Sequence, residues 1–337
     1  MIEYRCKNEG VRTLARNGKN QKMKSLFFII IFLIAIALII SCETDQKDSS
    51  VELPAEGPEQ EQSELEKETY ESQGEQEVSN EEEELDQIES DLGNNREHQE
   101  PSRKEVLKDF KGESPTLWGE NLPGVITHID TSEKIIVLTF DACGGTPGKA
   151  YDEALIQYLR REKIPATLFF TGVWIKDHPE IFTDLAEDPL FEVANHGYRH
   201  KPLSVNGEKA YGIPGTSSIE EAYDEIMLNQ DLIRSKSGQT PRYFRSGTAY
   251  YDDVAVDLIK KLGLIPVNYN VLGDAGATFT KEQIIRSMET AEPGAIILFH
   301  MNHPDKPIAE GVEKGVERLR KKGFSFVTLG EYHDRLR

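Results

Sequence analysis

Three cysteines in 337 residues, Cys6, Cys42 and Cys143, are too few and too scattered for a disulfide framework. Positive charge is also short: 39 Lys and Arg against 59 Asp and Glu leave a formal net charge of −20. No basic stripe runs along the chain, which excludes a nucleic-acid partner. A full membrane span is missing as well. The longest apolar run, residues 26–40, is made only of Leu, Phe, Ile and Ala, and its 15 positions fall short of the roughly 20 that cross a bilayer. Lys22 and Lys24 precede this run and Ser41-Cys42 follow it, the order of a basic n-region and an apolar h-region in a secretory signal.

Ile39-Ile40-Ser41-Cys42 resembles the lipobox of bacterial lipoproteins, which implies cleavage before Cys42 and a lipid on its thiol as the membrane partner. An uncleaved signal anchor is the alternative, and either one puts the remainder on the extracytoplasmic side. Met23-Lys24-Ser25 opens like an ordinary signal peptide, so residues 1–22 are set apart from fold reasoning. After cleavage Cys143 is the remaining thiol. An exported domain without an intrachain disulfide then needs a core large enough to be stable alone.

Charge divides the rest. Residues 43–100 hold 22 acidic side chains against Lys47, Lys67 and Arg96, which places −19 of the formal −20 in one stretch. With few aromatics and runs such as Glu81-Glu82-Glu83-Glu84, it reads as an extended, self-repelling stalk. The expected partition is a signal and lipoprotein segment (1–42), an acidic linker (43–115) and a catalytic domain (116–337), a monomer as written.

Beyond Trp118 apolar runs alternate with helical patterns. Strands are expected over 135–140, 166–170, 191–194, 243–244, 265–269, 295–299 and 324–329. Helices are expected over 151–163, 219–235, 253–262, 281–291 and 310–322. Alternation of this kind calls for a parallel sheet covered by helices, and the fold class expected is α/β, an irregular (β/α) barrel of about seven strands. Its polar residues favour a barrel over a doubly wound sheet. Asp141, His196, His200, Arg245, Asp274 and His300 all fall at the carboxyl ends of different strands, which is where barrel enzymes assemble a site.

The chemistry follows from residue types. His196 and His200, spaced i, i+4, would lie on one face of a helical turn and could share a divalent ion. Asp141 ends an apolar strand, where a carboxylate is costly unless paired; Arg245 is its natural partner and would keep it charged as a general base. His300 ends another apolar strand, and Asp274 could hold it protonated as a general acid.

These residues resemble the polysaccharide deacetylases with a NodB homology domain, carbohydrate esterase family 4, over roughly residues 130–330. Thr139-Phe140-Asp141 is similar to the family's first motif, whose first aspartate is the catalytic base. Asn195 to His200 is similar to the second, whose histidines bind zinc or a related divalent metal. Phe244-Arg245 resembles the start of the third, Asp274 the aspartate of the fourth, and Leu298-Phe299-His300 the fifth, which supplies the acid. The family's third metal ligand is a second aspartate, and here that position is Ala142, followed by Cys143-Gly144-Gly145. Asp141, Cys143 or water could complete the coordination, or the domain works without metal, or it has lost catalysis and kept a sugar cleft. The third motif diverges too, as Arg245-Ser246-Gly247-Thr248-Ala249-Tyr250, and residues 207–216 read as an insertion near the mouth.

The function this implies is hydrolysis of N-acetyl groups on an amino-sugar polysaccharide, peptidoglycan or an exported polymer. Asp141 would take a proton from the attacking water and His300 would give one to the departing amine. The alternatives are a hydrolase of small amides and an inactive carbohydrate-binding module.

Overall fold

The computed structural model describes residues 102–145 and 150–337. The expected lipoprotein segment, its acceptor Cys42 and residues 43–101 of the linker lie outside the described residues. In chain order the elements are α1 (Arg103–Asp109), β1 (Trp118–Gly119), β2 (Ile135–Ala142), α2 (Glu153–Glu162), β3 (Ala166–Phe170), α3 (Gly172–Asp177), α4 (Pro179–Glu187), β4 (Phe191–Asn195), β5 (Lys209–Ala210), β6 (Ile213–Pro214), α5 (Ile219–Ser237), β7 (Tyr243–Phe244), β8 (Tyr251–Asp252), α6 (Asp253–Lys261), β9 (Ile265–Pro266), β10 (Val271–Leu272), α7 (Lys281–Glu289), β11 (Ala295–His300), α8 (Ile308–Lys321) and β12 (Ser325–Val327). A 3-10 turn, Gly330–Arg335, follows.

Seven strands run in parallel in the order β10-β11-β2-β3-β4-β7-β9. One edge of β2 pairs with β11. Its other edge is shared, by β12 along Ile135–Val137 and by β3 along Thr139–Ala142. The two ends of the path, β9 and β10, follow each other in the chain but do not pair, so the sheet is a distorted half-barrel. The expected α/β barrel of about seven parallel strands therefore holds, with an opening between these two strands. The single strand expected over 265–269 is in fact β9, a four-residue link and β10.

Side-chain alternation decides what each strand offers to either face. Ile136, Leu138, Phe140 and Ala142 of β2 pack outward beneath α2, α7 and α8, in one core with Leu168, Phe170, Val193, Ile297 and Phe299. Ile135, Val137, Phe169, Ala194, Tyr243 and Ile296 face the lumen, a second apolar cluster. The same parity sends Thr139, Asp141, Arg245 and His300 inward. Helix starts are fixed by side-chain caps: Asp152 accepts from Leu155 N at the start of α2, and Ser218 accepts from Glu221 N at the start of α5.

Two local results differ from the sequence expectation. Helix α1 lies inside the stretch 43–115 assigned to the linker, yet its Val106 is fully buried and Phe110 nearly so, in one cluster with Ile226, Val254 and Leu258. The ordered domain thus takes in residues from Ser102 onward. Helices α3 and α4 were not singled out by periodicity, because a six-residue and a nine-residue helix broken by Pro179 carry too few turns for a clear stripe.

Gly294 opens β11 with φ +80°, and a Cβ there would lie 2.0 Å from the carbonyl oxygen of Ile129. Gly294→Ala should therefore cost about 3 kcal/mol, from left-handed strain plus a backbone clash. Urea unfolding of the two proteins checks this, and equal midpoints would contradict it.

Candidate active site

Asp141, at the carboxyl end of β2, and Arg245, immediately after β7, meet in the lumen. Arg245 is fully buried. Its Nη1 donates to Asp141 Oδ1 at 2.6 Å and to Thr139 Oγ1 at 3.0 Å, its Nε to the carbonyl of Val267 at 3.3 Å and its Nη2 to the carbonyl of Asn268 at 3.1 Å. The guanidinium also stacks 4.1 Å from the ring centre of Phe169. Burial by itself would raise the pKa of Asp141, but the charges of Arg245, His196 and His300 outweigh it and hold the carboxyl below its usual range.

His196 and His200 do not lie on a helical turn. Residues 196–200 form a loop in which Gly197 and His200 both have positive φ, +79° and +63°, and the two imidazoles meet edge to face, 5.1 Å apart. Tertiary contacts replace helical periodicity here. Asn195 Oδ1 accepts from Gly197 N and from Asn229 Nδ2, while Asn195 Nδ2 donates to Gln230 Oε1 and the carbonyl of Ile226. Glu225 of α5 accepts from the backbone amides of Arg199 and Lys201. A Cβ at residue 197 would lie 2.5 Å from Glu225 Oε1, and the left-handed φ there strains any other side chain, so glycine suits the loop's close approach to α5.

His196 Nδ1 lies 2.9 Å from the carbonyl of Arg245, which fixes the proton on that nitrogen and leaves Nε2 as the lone-pair side. Burial, only partly offset by Asp141, lowers the His196 pKa and favours the neutral ring. His196 Nε2 sits 3.7 Å from Cys143 Sγ and 3.4 Å from Asp141 Oδ2. His200 Nε2 is buried and has no hydrogen-bond partner. One ligand atom each from Cys143, His196 and His200 lie within 4.8 Å of one another, a metal-binding geometry of one sulfur and two nitrogens. Burial would raise the Cys143 thiol, but nearby His200 and His300 lower it to about 7.

Ala142 has its own explanation. As the last residue of β2 it packs in the outer apolar core with no exposure, and the chain turns at the next residue to bring Cys143 back to the cleft. Of the completions left open by the sequence, Cys143 is the one whose donor atom stands beside both histidines.

Beside this cluster, on the strand next to β2 and in register with Asp141, His300 Nδ1 lies 2.9 Å from Asp274 Oδ1, and the His300 amide donates to Asp274 Oδ2 at 2.7 Å. Burial opposes the imidazolium, yet Asp274 and Cys143 raise the His300 pKa well above its ordinary value. Asp141, His200 and His300 line one cleft of about 460 Å³, whose wall also includes Tyr211 and Ile213 from the 207–216 insertion. Sequence reasoning gave Asn195 a place in the second motif but no role, and missed Glu225, Asn229 and Asn268, because nothing in local spacing marks a buried polar residue as the support of a distant loop.

A parallel half-barrel whose lumen gathers a carboxylate–guanidinium pair, a carboxylate–imidazole pair and a sulfur and nitrogen donor set has the groups a hydrolytic barrel uses and a site fit for a metal. The polysaccharide deacetylase family matches residues 128–267. A chitooligosaccharide deacetylase of Bradyrhizobium sp. (strain ANU 289) is 30% identical over 212 residues, 59% of this chain and 90% of that protein. The peptidoglycan-N-acetylmuramic acid deacetylase PdaA of Bacillus subtilis is 24% identical over 227 residues, 63% of this chain and 79% of that protein. The solved structure of PdaA, a family 4 carbohydrate esterase, superposes with a TM-score of 0.53 at 22% identity, covering 62% of this chain and 85% of that one. A family 4 pseudoenzyme from Bacillus anthracis gives 0.53 at 20% identity, with 63% and 69% covered. The chain belongs to the polysaccharide deacetylase family, carbohydrate esterase family 4, hydrolases of carbon–nitrogen bonds other than peptide bonds.

The Glu225 anchor has a pH signature. Burial raises its pKa from 4.5 to about 7, against the amides and charges of Lys201 and Arg199 that favour the carboxylate. The folded protein then holds this proton to higher pH than the unfolded chain, so the contribution is complete below about pH 4.5 and disappears as pH rises through about 7. Relative to Glu225→Gln, the native sequence should lose on the order of 3 kcal/mol of unfolding free energy across that window. Urea titrations at several pH values would show it, and parallel slopes would refute it.

Proposed function

We propose that the chain removes acetyl groups from the amino sugars of a cell-envelope polysaccharide by metal-assisted general acid–base hydrolysis. The observation that carries this reading is the carboxylate of Asp141, held charged by Arg245, in register with the Asp274-bound His300 on the neighbouring strand and beside Cys143, His196 and His200. Cys143, His196 and His200 are the residues that would hold the divalent ion, and one thiolate with two imidazoles suits zinc. When bound, such an ion polarises the amide carbonyl and makes water more acidic.

Asp141 accepts a proton as water oxygen bonds to the acetyl carbon. Arg245 keeps that carboxylate ionised and aimed, through a bond that also ties it to Thr139. His300 donates its proton from Nε2 to the amide nitrogen as the carbon–nitrogen bond breaks, while Asp274 holds Nδ1 and balances the charge. Acetate and a free amine leave. Arg245 and Asp274 are positioning residues in this scheme; Asp141 and His300 are catalytic.

The reading extends to placement. Deacetylation of an envelope glycan requires an extracytoplasmic domain, which accords with the signal-like run 26–40, a lipid at Cys42 and the acidic linker before the domain. We take the domain as a monomer.

Asp141→Asn should reduce acetate release from acetylated chito-oligosaccharides or peptidoglycan by about 10²- to 10⁴-fold. Retained turnover would remove Asp141 from the mechanism, and glycan binding without acetate from any acetylated polymer would favour an inactive sugar-binding domain. Elemental analysis tests the ligands separately: about one zinc per chain is expected in the native protein and much less in Cys143→Ala or His200→Ala. Unchanged metal content in either variant would discard that ligand.

A further inference from the structure

The reaction cleft extends to a carboxylate that the deacetylation chemistry does not use. Glu120, one residue after β1, lines the same cavity as Asp141 and His300. Two tyrosines hold it: Tyr211 Oη donates to Glu120 Oε1 at 2.8 Å and Tyr269 Oη to Oε2 at 3.1 Å. The backbone is fixed as well, since Asn268 Nδ2 donates to the Glu120 carbonyl, and β1 pairs with β8. Tyr211 is brought there by the β5–β6 hairpin and stays largely exposed, its ring edge-on to Tyr250, which in turn packs against Trp118.

Among the described residues no cation pairs with Glu120, and no Lys or Arg lines the cavity. A carboxylate gripped by neutral donors at a cleft mouth is oriented without a counter-charge of its own, so a ligand cation would find an aimed partner. Tyr211 and Tyr269 add aromatic rings of the kind that pack against pyranose rings to the cavity wall.

We propose that Glu120, Tyr211 and Tyr269 form a subsite for the free ammonium group of a glucosamine unit next to the sugar being deacetylated, so that partly deacetylated glycan is preferred. The proposal rests on the deacetylase reading for the neighbouring sugar. It makes the product of one turnover a recognition element for the next. The 207–216 insertion thereby acquires a role, since it delivers Tyr211 to the carboxylate.

The test uses binding and turnover together on the full chain. Isothermal titration with fully deacetylated glucosamine tetramer and with fully acetylated tetramer should show tighter binding of the deacetylated one, and Glu120→Gln should reduce that preference about fivefold, the range of a partly exposed ion pair. Raising salt should erode the preference in the native protein and not in the variant. In turnover, the ratio of kcat/KM on partly deacetylated over fully acetylated oligomer should fall by a similar factor in Glu120→Gln, and Tyr211→Phe should lower it less. An unchanged ratio, or equal affinity for the two tetramers, overturns the proposal. Absence of acetate from every substrate would instead overturn the deacetylase reading, and the titrations with the deacetylated tetramer would still decide the subsite.

Discussion

Arg245 carries its charge inside the half-barrel with no exposure to solvent, and the lumen is organised around the need to satisfy it. Removing a guanidinium from water costs several kcal/mol unless geometry and hydrogen bonding restore what hydration supplied. Here the restoration is divided among Asp141, Thr139, two carbonyls of the 267–268 link and the face of Phe169. The partners come from β2, β3 and the link between β9 and β10. The ion pair therefore ties β2, β3, β7 and the chain between β9 and β10 to one geometry at the carboxyl end of the sheet.

The other side chains of the site depend on that geometry. His196 takes its tautomer from the carbonyl of Arg245, so the residue that orients the carboxylate also decides which imidazole nitrogen faces the cleft. The 196–200 loop is shaped independently, by Asn195 and Glu225, and brings His200 to the same point from another direction. His300 completes the arrangement through Asp274, which grips both its ring and its amide. Asp141 and His300 are register partners on adjacent strands beside a soft donor set. The charges around them lower the Asp141 pKa and raise that of His300, so the charged form of each is favoured.

The substitution at residue 142 shows how the strand's period limits where a ligand can come from. Ala142 belongs to the outward-facing series of β2 and fills the apolar layer beneath the helices. Cys143 lies beyond the last ladder pair, where the backbone is free to turn, and its sulfur reaches His196 Nε2. A thiolate in this position is softer than a carboxylate and better matched to zinc than to harder ions.

Sequence alone determined the alternation of strand and helix, the parallel sheet and the placing of Asp141 and His300 at strand ends, because apolar runs of five or six residues leave little choice of element and parity then fixes the face. It also determined the charge partition, since 22 carboxylates in residues 43–100 are a property of the chain and not of its fold. Tertiary structure decided the rest. The half-barrel opening, the burial of α1, the non-helical approach of His200 and the meeting of Glu120 with Tyr211 and Tyr269 all join residues far apart in the chain. Local spacing carries no record of such contacts, because they are selected by packing and hydrogen bonding across the folded sheet.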